Sequence, residues 1–159
     1  MATVEQDVRI ERGTSRDLDR VMRVMEAAFG DRYGEAWTRS QCAGILPMSG
    51  VLLTLARLGD EGEAIGFSLT RSVADESELL LLAVMPEHQD MGIGRRLLEQ
   101  FIDHARSDGA ARVHLEVRDG NPAIAMYRAA GFEPVGRRRK YYHAADGRNF
   151  DALTFARAI

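Results

Sequence analysis

Cysteine is almost absent from this chain of 159 residues, which has one, Cys42, and four histidines. A single cysteine forms no internal disulfide and cannot by itself make a thiolate metal site. The histidines do not share a helix face at i, i+4 spacing, so we expect no metal site. Long apolar runs are also missing, since none approaches the ~20 residues that a membrane span needs. Residues 1–9 are too polar for a secretory signal, and we expect a cytoplasmic protein.

An excess of charge of one sign is missing too. Lysine and arginine number 21, aspartate and glutamate number 24, and the net charge is −3. This balance gives no global attraction to nucleic acid, so we expect neither nucleic acid nor a membrane as a partner. The chain is 45% hydrophobic and 28% charged, which is ordinary for a globular protein. Its length predicts one domain, residues 1–159, with a buried core.

The most informative part of the chain is residues 79–132. An apolar run at 79–84 predicts a buried strand, and a glycine-containing loop at 89–95 and a helix-patterned stretch follow it. An alternating run at 112–118 predicts a second strand, which leads to Asn121 and another helix. The pattern therefore predicts one strand–loop–helix–strand–helix unit.

The loop after the first of these strands has the features of a phosphate-binding turn. Gly92 and Gly94 have no side chains, so their backbone N–H groups can approach an anion closely. The helix that follows presents unpaired N–H groups and the positive end of its dipole, which also favour phosphate. Arg95 and Arg96 add positive charge nearby. The two glycines alone fit an ordinary strand-to-helix turn equally well. The Gly-Lys-Ser/Thr of nucleotide hydrolases and the third glycine of dinucleotide-binding folds are absent.

The residues around the loop carry a family resemblance. Ala-Val-x-Pro at 83–86, followed by Gln-x-x-Gly-x-Gly at 89–94, resembles the acetyl-CoA-binding motif of the GNAT superfamily of N-acetyltransferases. Leu-Glu-Val-Arg at 115–118, with Asn121 and Tyr127 behind it, resembles the block that follows in that family. The two blocks stand in the family's order and spacing, which makes the match specific.

The resemblance implies acetyl-CoA as the co-substrate. The loop backbone would hold the pyrophosphate, and a backbone N–H at or near Val84 would polarise the acetyl carbonyl. The implied cofactor-binding residues are Leu82, Ala83, Val84, Gln89, Asp90, Met91, Gly92, Ile93, Gly94, Arg95, Asn121 and Tyr127.

The resemblance also implies the fold, a mixed α/β GNAT fold. This is a central, mixed but mostly antiparallel sheet of about seven strands with helices on both faces. Its fourth and fifth strands splay apart to admit the pantetheine arm. The sequence pattern agrees, because strand-like runs at 51–57, 64–71 and 79–84 are joined by short polar turns at 59–62 and 75–77. Such spacing is typical of an antiparallel meander.

Two side chains are candidates for the proton transfers. Moving an acetyl group from a thioester to an amine needs a neutral amine, a polarised carbonyl and a proton for the leaving thiolate. Glu116 lies near the end of its strand, on the face opposite the apolar residues, and the resemblance implies that it is the general base, directly or through water. Tyr127 is implied as the acid that protonates the thiolate. The plainer alternatives are a solvent-facing carboxylate and a packed aromatic ring.

The acceptor site is less defined by the sequence. Loops that carry an aromatic residue often face substrate, which indicates Tyr33 in the loop at 30–36 and Trp37 at the start of a short helix. Both could equally cover the core. Further along, we expect Asn121 to cap a helix that has Pro122 as its first residue.

The resemblance extends to the ribosomal-protein-alanine N-acetyltransferases, and there it implies a peptide groove. Tyr141 and Tyr142 would flank the substrate backbone, and Glu116 would also contact the substrate. The basic run at 137–140 would border this groove, or it would form an ordinary solvated face. His114 shares the face of Glu116 and could assist proton transfer.

Three functions fit these patterns. The first is an enzyme that acetylates a protein N-terminus, alanine above all, as on a small-subunit ribosomal protein. The second is a GNAT enzyme that acts on a small amine or a lysine side chain, which would not need the tyrosine pair. The third is a CoA-binding module without catalysis, against which Glu116 and Tyr127 argue. The loop at 30–36 is longer and richer in glycine than in the enterobacterial-type enzyme, which leaves the acceptor more open than the chemistry.

Overall fold

The computed structural model describes residues 7–59 and 62–159. Residues 1–6 and two residues of the turn predicted at 59–62 lie outside this part. Seven strands and four α-helices are found in it, with two short 3-10 helices at Ser15–Asp17 and Pro86–His88. The strands are β1 (Val8–Arg12), β2 (Val51–Leu58), β3 (Ala64–Val73), β4 (Glu76–Val84), β5 (Arg112–Arg118), β6 (Glu133–His143) and β7 (Asn149–Ala158); the helices are α1 (Leu18–Phe29), α2 (Arg39–Ile45), α3 (Ile93–Ser107) and α4 (Ile124–Ala129).

The strands form one sheet in the order β1-β2-β3-β4-β5-β7-β6. Neighbouring strands are antiparallel except β4 and β5, which are parallel. A parallel pair needs a crossover connection, and α3 provides it between these two strands. The meander prediction is confirmed by the antiparallel pairing of β2, β3 and β4. The seven-stranded, mostly antiparallel sheet confirms the predicted fold class.

The turn predicted at 75–77 is placed wrongly. Val73 pairs with Glu76, which leaves a turn of two residues, Ala74 and Asp75. Ala74 has a left-handed φ of 54°, as hairpin turns of this length require. The polar residues after the turn, at 76–78, belong to β4, because they also pair with residues 112–114 of β5 on the opposite edge of the strand.

Helices cover both faces of the sheet. The neighbouring residues Leu81 and Leu82 of β4 point to opposite faces and belong to different packing clusters. Leu81 packs with Val24 and Met25 of α1, whereas Leu82 packs with the cluster that contains Leu98 of α3. A fully buried side chain of this size contributes about 1.5–3 kcal/mol by leaving water. Of the helices described, none combines the length and the apolar composition of a membrane span.

The sheet opens between β4 and β5. In the described part of the chain these strands pair over four residues only, and the pairing ends at Leu79 and Leu115. On its other edge β4 has an extra residue, Leu80, between the residues that pair with Leu69 and Thr70. Such a β-bulge bends its strand and disrupts the local ladder. β4 therefore turns away from β5 at this point, which gives the splay that the resemblance implies.

Candidate active site

The loop before α3 presents backbone N–H groups at one end of this gap. Asp90 and Gly92 have left-handed φ values of 67° and 76°, which glycine adopts freely and aspartate tolerates. Helix α3 begins directly after Gly92. Its first backbone bond runs from the Arg96 N–H to the Gly92 carbonyl, at 3.0 Å. The N–H groups of residues 93–95 precede that bond, so they are available to an anion.

The end of β4 directs one further backbone N–H, that of Val84, into the gap between β4 and β5. Met85, the residue after β4, donates its N–H to the carbonyl of Ile65 in β3 at 2.7 Å. Successive strand residues direct their N–H and C=O groups to opposite edges, so the N–H of Val84 points away from β3. The Val84 carbonyl on the same edge accepts from Nε2 of Gln89 at 3.2 Å. This geometry gives Val84 the direction that a carbonyl-polarising N–H needs.

Gly94, in the first turn of α3, faces Met126 of α4 and Leu82 of β4. A Cβ atom on this residue would lie 3.4 Å from Sδ of Met126 in α4 and 3.6 Å from Cδ2 of Leu82 in β4. A larger side chain here would have to project past these groups. Glycine therefore keeps the start of α3 open.

A cleft of about 620 Å³ lies along the loop before α3, whose residues form part of its lining. The ends of α1, β4 and β5 also line it, together with the segment before α4. The predicted cofactor-binding residues along it are Leu82, Ala83, Val84, Gln89, Asp90, Gly92, Ile93, Gly94, Arg95 and Asn121. The side chain of Met91 is instead half exposed, at 52%. Tyr127 lines a neighbouring cavity.

That neighbouring cavity, of about 150 Å³, lies between β4, β5 and the tyrosine pair of β6. The predicted residues that line it are Trp37, Glu116, Asn121, Tyr127, Tyr141 and Tyr142. Phe29, Glu35, Leu82 and Asn121 line both the cavity and the cleft. The two spaces therefore meet at the opening between β4 and β5. Tyr33 lines the larger cleft.

Glu116 lies in the smaller cavity, where Arg138 contacts its carboxylate. The Glu116 side chain is 17% exposed, and its Oε1 is 2.7 Å from Nε of Arg138, whose side chain is 63% exposed. Burial, and next the charge of Glu116, raise the pKa of Tyr141 beside it. The rings of Tyr141 and Tyr142 meet edge to face with centroids 5.0 Å apart. A carboxylate in this setting can accept a proton from an amine that enters the cavity.

A bulge in β6 shapes the side of the small cavity that the tyrosine pair lines. Arg138 pairs with Ala152 and Tyr142 pairs with Phe150, so an advance of four residues along β6 matches only two residues of β7. Lys140 in this bulge has a left-handed φ of 52°, and its N–H donates to Oδ1 of Asp151 at 2.9 Å. Arg137 donates to Oδ2 of the same aspartate at 2.8 Å. Bulges re-aim side chains. Arg137 and Arg138 of the basic run pair with carboxylates, and all four side chains at 137–140 are exposed.

Tyr127 of α4 lines the small cavity and is buried, with 6% of its surface exposed. Its ring meets Phe132 edge to face at a centroid distance of 6.1 Å. Burial, and next the charge of Glu35, raise the pKa of its hydroxyl above the ordinary value of about 10. The hydroxyl therefore stays protonated at neutral and mildly alkaline pH, as a proton donor must.

Sequence reasoning missed a buried ion pair at the junction of the two spaces. Glu35 accepts from Nε of Arg118 at 3.1 Å and from Nδ2 of Asn121 at 2.8 Å. The side chains of Glu35 and Arg118 are 11% and 8% exposed. The guanidinium carbon of Arg118 lies 3.7 Å from the ring centroid of Tyr33, the aromatic residue predicted to face substrate. The sequence signals are weak: Glu35 lies in the glycine-rich loop at 30–36, and Arg118 ends the Leu-Glu-Val-Arg block.

Asn121 does not cap α4 directly. The helix begins at Ile124 with Ala123 at the N-cap position, so the prediction of Pro122 as its first residue is wrong. Oδ1 of Asn121 accepts from the Ala123 N–H at 2.8 Å, because asparagine commonly bonds the backbone two residues on. The side chain thus fixes the turn into α4 with its oxygen and binds Glu35 with its amide.

Known proteins share this fold. The sequence model described as the acetyltransferase (GNAT) family matches residues 18–132. Over 104 aligned residues the chain is 42% identical to the ribosomal protein bS18-alanine N-acetyltransferase of Escherichia coli (strain K12). The alignment covers 65% of this chain and 70% of that protein. The crystal structure of the ribosomal-protein-S18-alanine N-acetyltransferase from Escherichia coli has a TM-score of 0.85 and 32% identity, over 96% of this chain and 94% of that one. Arabidopsis thaliana NAA60 in complex with acetyl-CoA has a TM-score of 0.81 at 20% identity, over 96% and 99%.

Proposed function

The chain belongs to the acetyltransferase (GNAT) family, and from that premise we propose that it acetylates the free N-terminal amine of a ribosomal protein that begins with alanine. The family's reaction makes it an acetyl-CoA-dependent N-acetyltransferase. The observation that carries the proposal is the meeting of the large cleft and the small cavity at the β4–β5 opening, with Glu116 and Tyr127 beside it. The name of the Escherichia coli relative supports the choice of acceptor. Because a ribosomal protein is made in the cytoplasm, the proposal includes that location.

In this proposal the cleft holds acetyl-CoA and the cavity admits the amine. The N–H groups of residues 93–95 bind the pyrophosphate, as helix N-termini commonly do. The N–H of Val84 stabilises the negative charge that develops on the acetyl oxygen. The amine nitrogen bonds to the acetyl carbon while the carbon–sulfur bond breaks. Glu116 takes the amine proton, directly or through water, and Tyr127 gives a proton to the sulfur.

Gly94→Glu tests the assignment of the cleft. The new side chain would bring bulk and negative charge beside the N–H groups that bind the pyrophosphate. We expect acetyl-CoA affinity to fall by roughly tenfold or more, equal to at least about 1.4 kcal/mol, in a protein that still folds. Isothermal titration calorimetry measures it. Gly94→Ala is the matched control, because it adds the Cβ atom without the charge and should bind acetyl-CoA better than the glutamate variant. Unchanged affinity in folded Gly94→Glu would place the pyrophosphate elsewhere.

Proton energetics favour an α-amine over a lysine side chain as the acceptor. An α-amino group has a pKa of about 8 and a lysine about 10.4, so deprotonating the lysine at neutral pH costs roughly 3 kcal/mol more. One carboxylate such as Glu116, with water, therefore serves the first acceptor better than the second. The cavity of about 150 Å³ also suits a small first side chain better than a long one.

Two peptides that differ only in the amine they offer test the acceptor. One begins with a free alanine and has arginine at an internal position, and the other is blocked at its N-terminus and has lysine at that position. We expect the free-alanine peptide to be acetylated faster, as measured by CoA release and by the mass of the product. Faster acetylation of the blocked lysine peptide would contradict the proposal and favour a side-chain or small-amine acceptor.

A further inference from the structure

The segment at 30–37, here called the bridging loop, connects α1 and α2 and reaches across the molecule to the β6–β7 hairpin. The Asp31 carbonyl accepts from the Ala145 N–H at 3.3 Å. Gly34 packs so closely on the backbone of His143 that any side chain would collide with it. The bridging loop therefore joins α1, which packs on β3 and β4, to the far half of the sheet, on the other side of the β4–β5 opening.

Glu35 is the polar anchor at the centre of this loop. Each of its two carboxylate oxygens accepts a hydrogen bond, one from Arg118 at the end of β5 and one from Asn121 before α4. With both oxygens engaged, Glu35 is not placed to take the proton of an incoming amine. A buried ion pair is weak evidence for stability, and its best-supported use is to specify one arrangement of the chain.

Hydrogen bonds run from Glu35 to the helix that carries Tyr127. Asn121, whose amide binds Glu35, accepts from the Ala123 N–H through its side chain at 2.8 Å. Its carbonyl accepts from the Ile124 N–H at 3.1 Å, and the Tyr127 N–H donates to the Ala123 carbonyl at 3.1 Å. The carboxylate therefore fixes the start of α4 relative to the wall that both spaces share.

We propose that Glu35 is a positioning residue for acetyl transfer, an inference that rests on the proposed function. It holds Asn121 and Arg118, and through them keeps Tyr127 in the wall of the small cavity. Small displacements of a reacting group are costly, and one of about 1 Å can lower a rate by roughly a hundredfold. Loss of the anchor should therefore lower kcat in a protein that remains folded.

An exchange of the two hydrogen-bonding partners tests this role. Glu35→Gln leaves one side-chain oxygen for the two donors, Arg118 and Asn121, and Asn121→Asp sets a carboxylate against Glu35, so each single change removes at least one hydrogen bond of Glu35. In the double variant, the new amide at position 35 can donate to the new carboxylate at position 121, which still accepts from the Ala123 N–H. The net charge is also unchanged. We expect each single variant to lose roughly tenfold to a hundredfold in kcat, and the double variant to recover most of that loss.

The assay separates this inference from the proposed acceptor. It uses saturating acetyl-CoA and whichever peptide the parent acetylates faster, the free-alanine or the blocked lysine peptide. Failure of the alanine peptide would thus overturn the acceptor proposal and still leave the positioning role measured. Thermal melts confirm that each variant is folded at the assay temperature, where a merely structural role would leave kcat unchanged.

Two results would overturn the inference. One is a folded Glu35→Gln variant with the parent's kcat. The other is a double variant as slow as the slower single variant, which would mean that a carboxylate is needed at residue 35 itself. If Glu35→Gln fails to fold, Asn121→Asp and the double variant still decide the question, because only restored hydrogen bonding predicts that the second is faster than the first.

Discussion

Tyr127→Phe is expected to lower kcat by roughly 10²–10⁴, the usual range for a positioned proton transfer, and to leave acetyl-CoA affinity largely intact. The substitution keeps the ring and its edge contact with Phe132, which is 6.1 Å away between centroids, and removes only the hydroxyl. CoA release at saturating acetyl-CoA measures the rate, and calorimetry measures the affinity. The loss should be in kcat because the proton is needed only as the thiolate leaves.

The pKa of Tyr127 makes this expectation specific. Burial and the charge of Glu35 raise it above the ordinary value of about 10, so the donor stays protonated where most enzymes work. Titration of Tyr127 should therefore produce no decline in the parent's rate between neutral and mildly alkaline pH. If single-turnover measurements show that chemistry limits the rate and the phenylalanine variant is as fast as the parent, Tyr127 is a packing residue.

The sequence predicts the parts of the site that local patterns encode. The alternation along β5 places Glu116 opposite the apolar residues, and the structure places it in the small cavity. The glycines of the loop mark the start of α3, because a left-handed φ at Gly92 and close packing at Gly94 each have a residue requirement that shows in the sequence. Such features depend on neighbours within a few positions, which is the range over which a pattern can be read.

The parts that the sequence does not predict depend on distant contacts. Glu35 and Arg118 are 83 positions apart, and neither has a neighbour that indicates the other. The bulge at Leu80 lies inside a run of four leucines, where an extra residue changes no hydrophobic pattern and is invisible until β3 supplies the register. The turn at Ala74 is missed for a related reason: alanine in a left-handed conformation gives no signal of the kind that glycine or asparagine gives.

Glu116→Gln is expected to lower the rate most at neutral pH, by roughly 10²-fold or more, and least at high pH. Glutamine can still accept the hydrogen bond from Nε of Arg138, which is 2.7 Å from the carboxylate, so the substitution removes basicity and leaves the contact. Below the amine's pKa of about 8 the acceptor is mostly protonated and needs the base, and above it the amine is neutral unaided. The ratio of parent to variant rates should therefore fall toward one as the pH rises through this value.

Glu76→Gln is the matched control for this pH profile. Glu76 is a carboxylate at the start of the neighbouring strand β4, 3.1 Å from Arg112 and 3.9 Å from Nδ1 of His114. It does not line the small cavity, so its replacement removes the same charge from outside that cavity. The rate of this variant should differ little from the parent's rate, and by the same factor at every pH. If the Glu116→Gln profile instead runs parallel to the parent's, the deprotonation step does not depend on residue 116. Glu116 would then act as a partner of Arg138 in the cavity wall, and the amine would have to lose its proton directly to water.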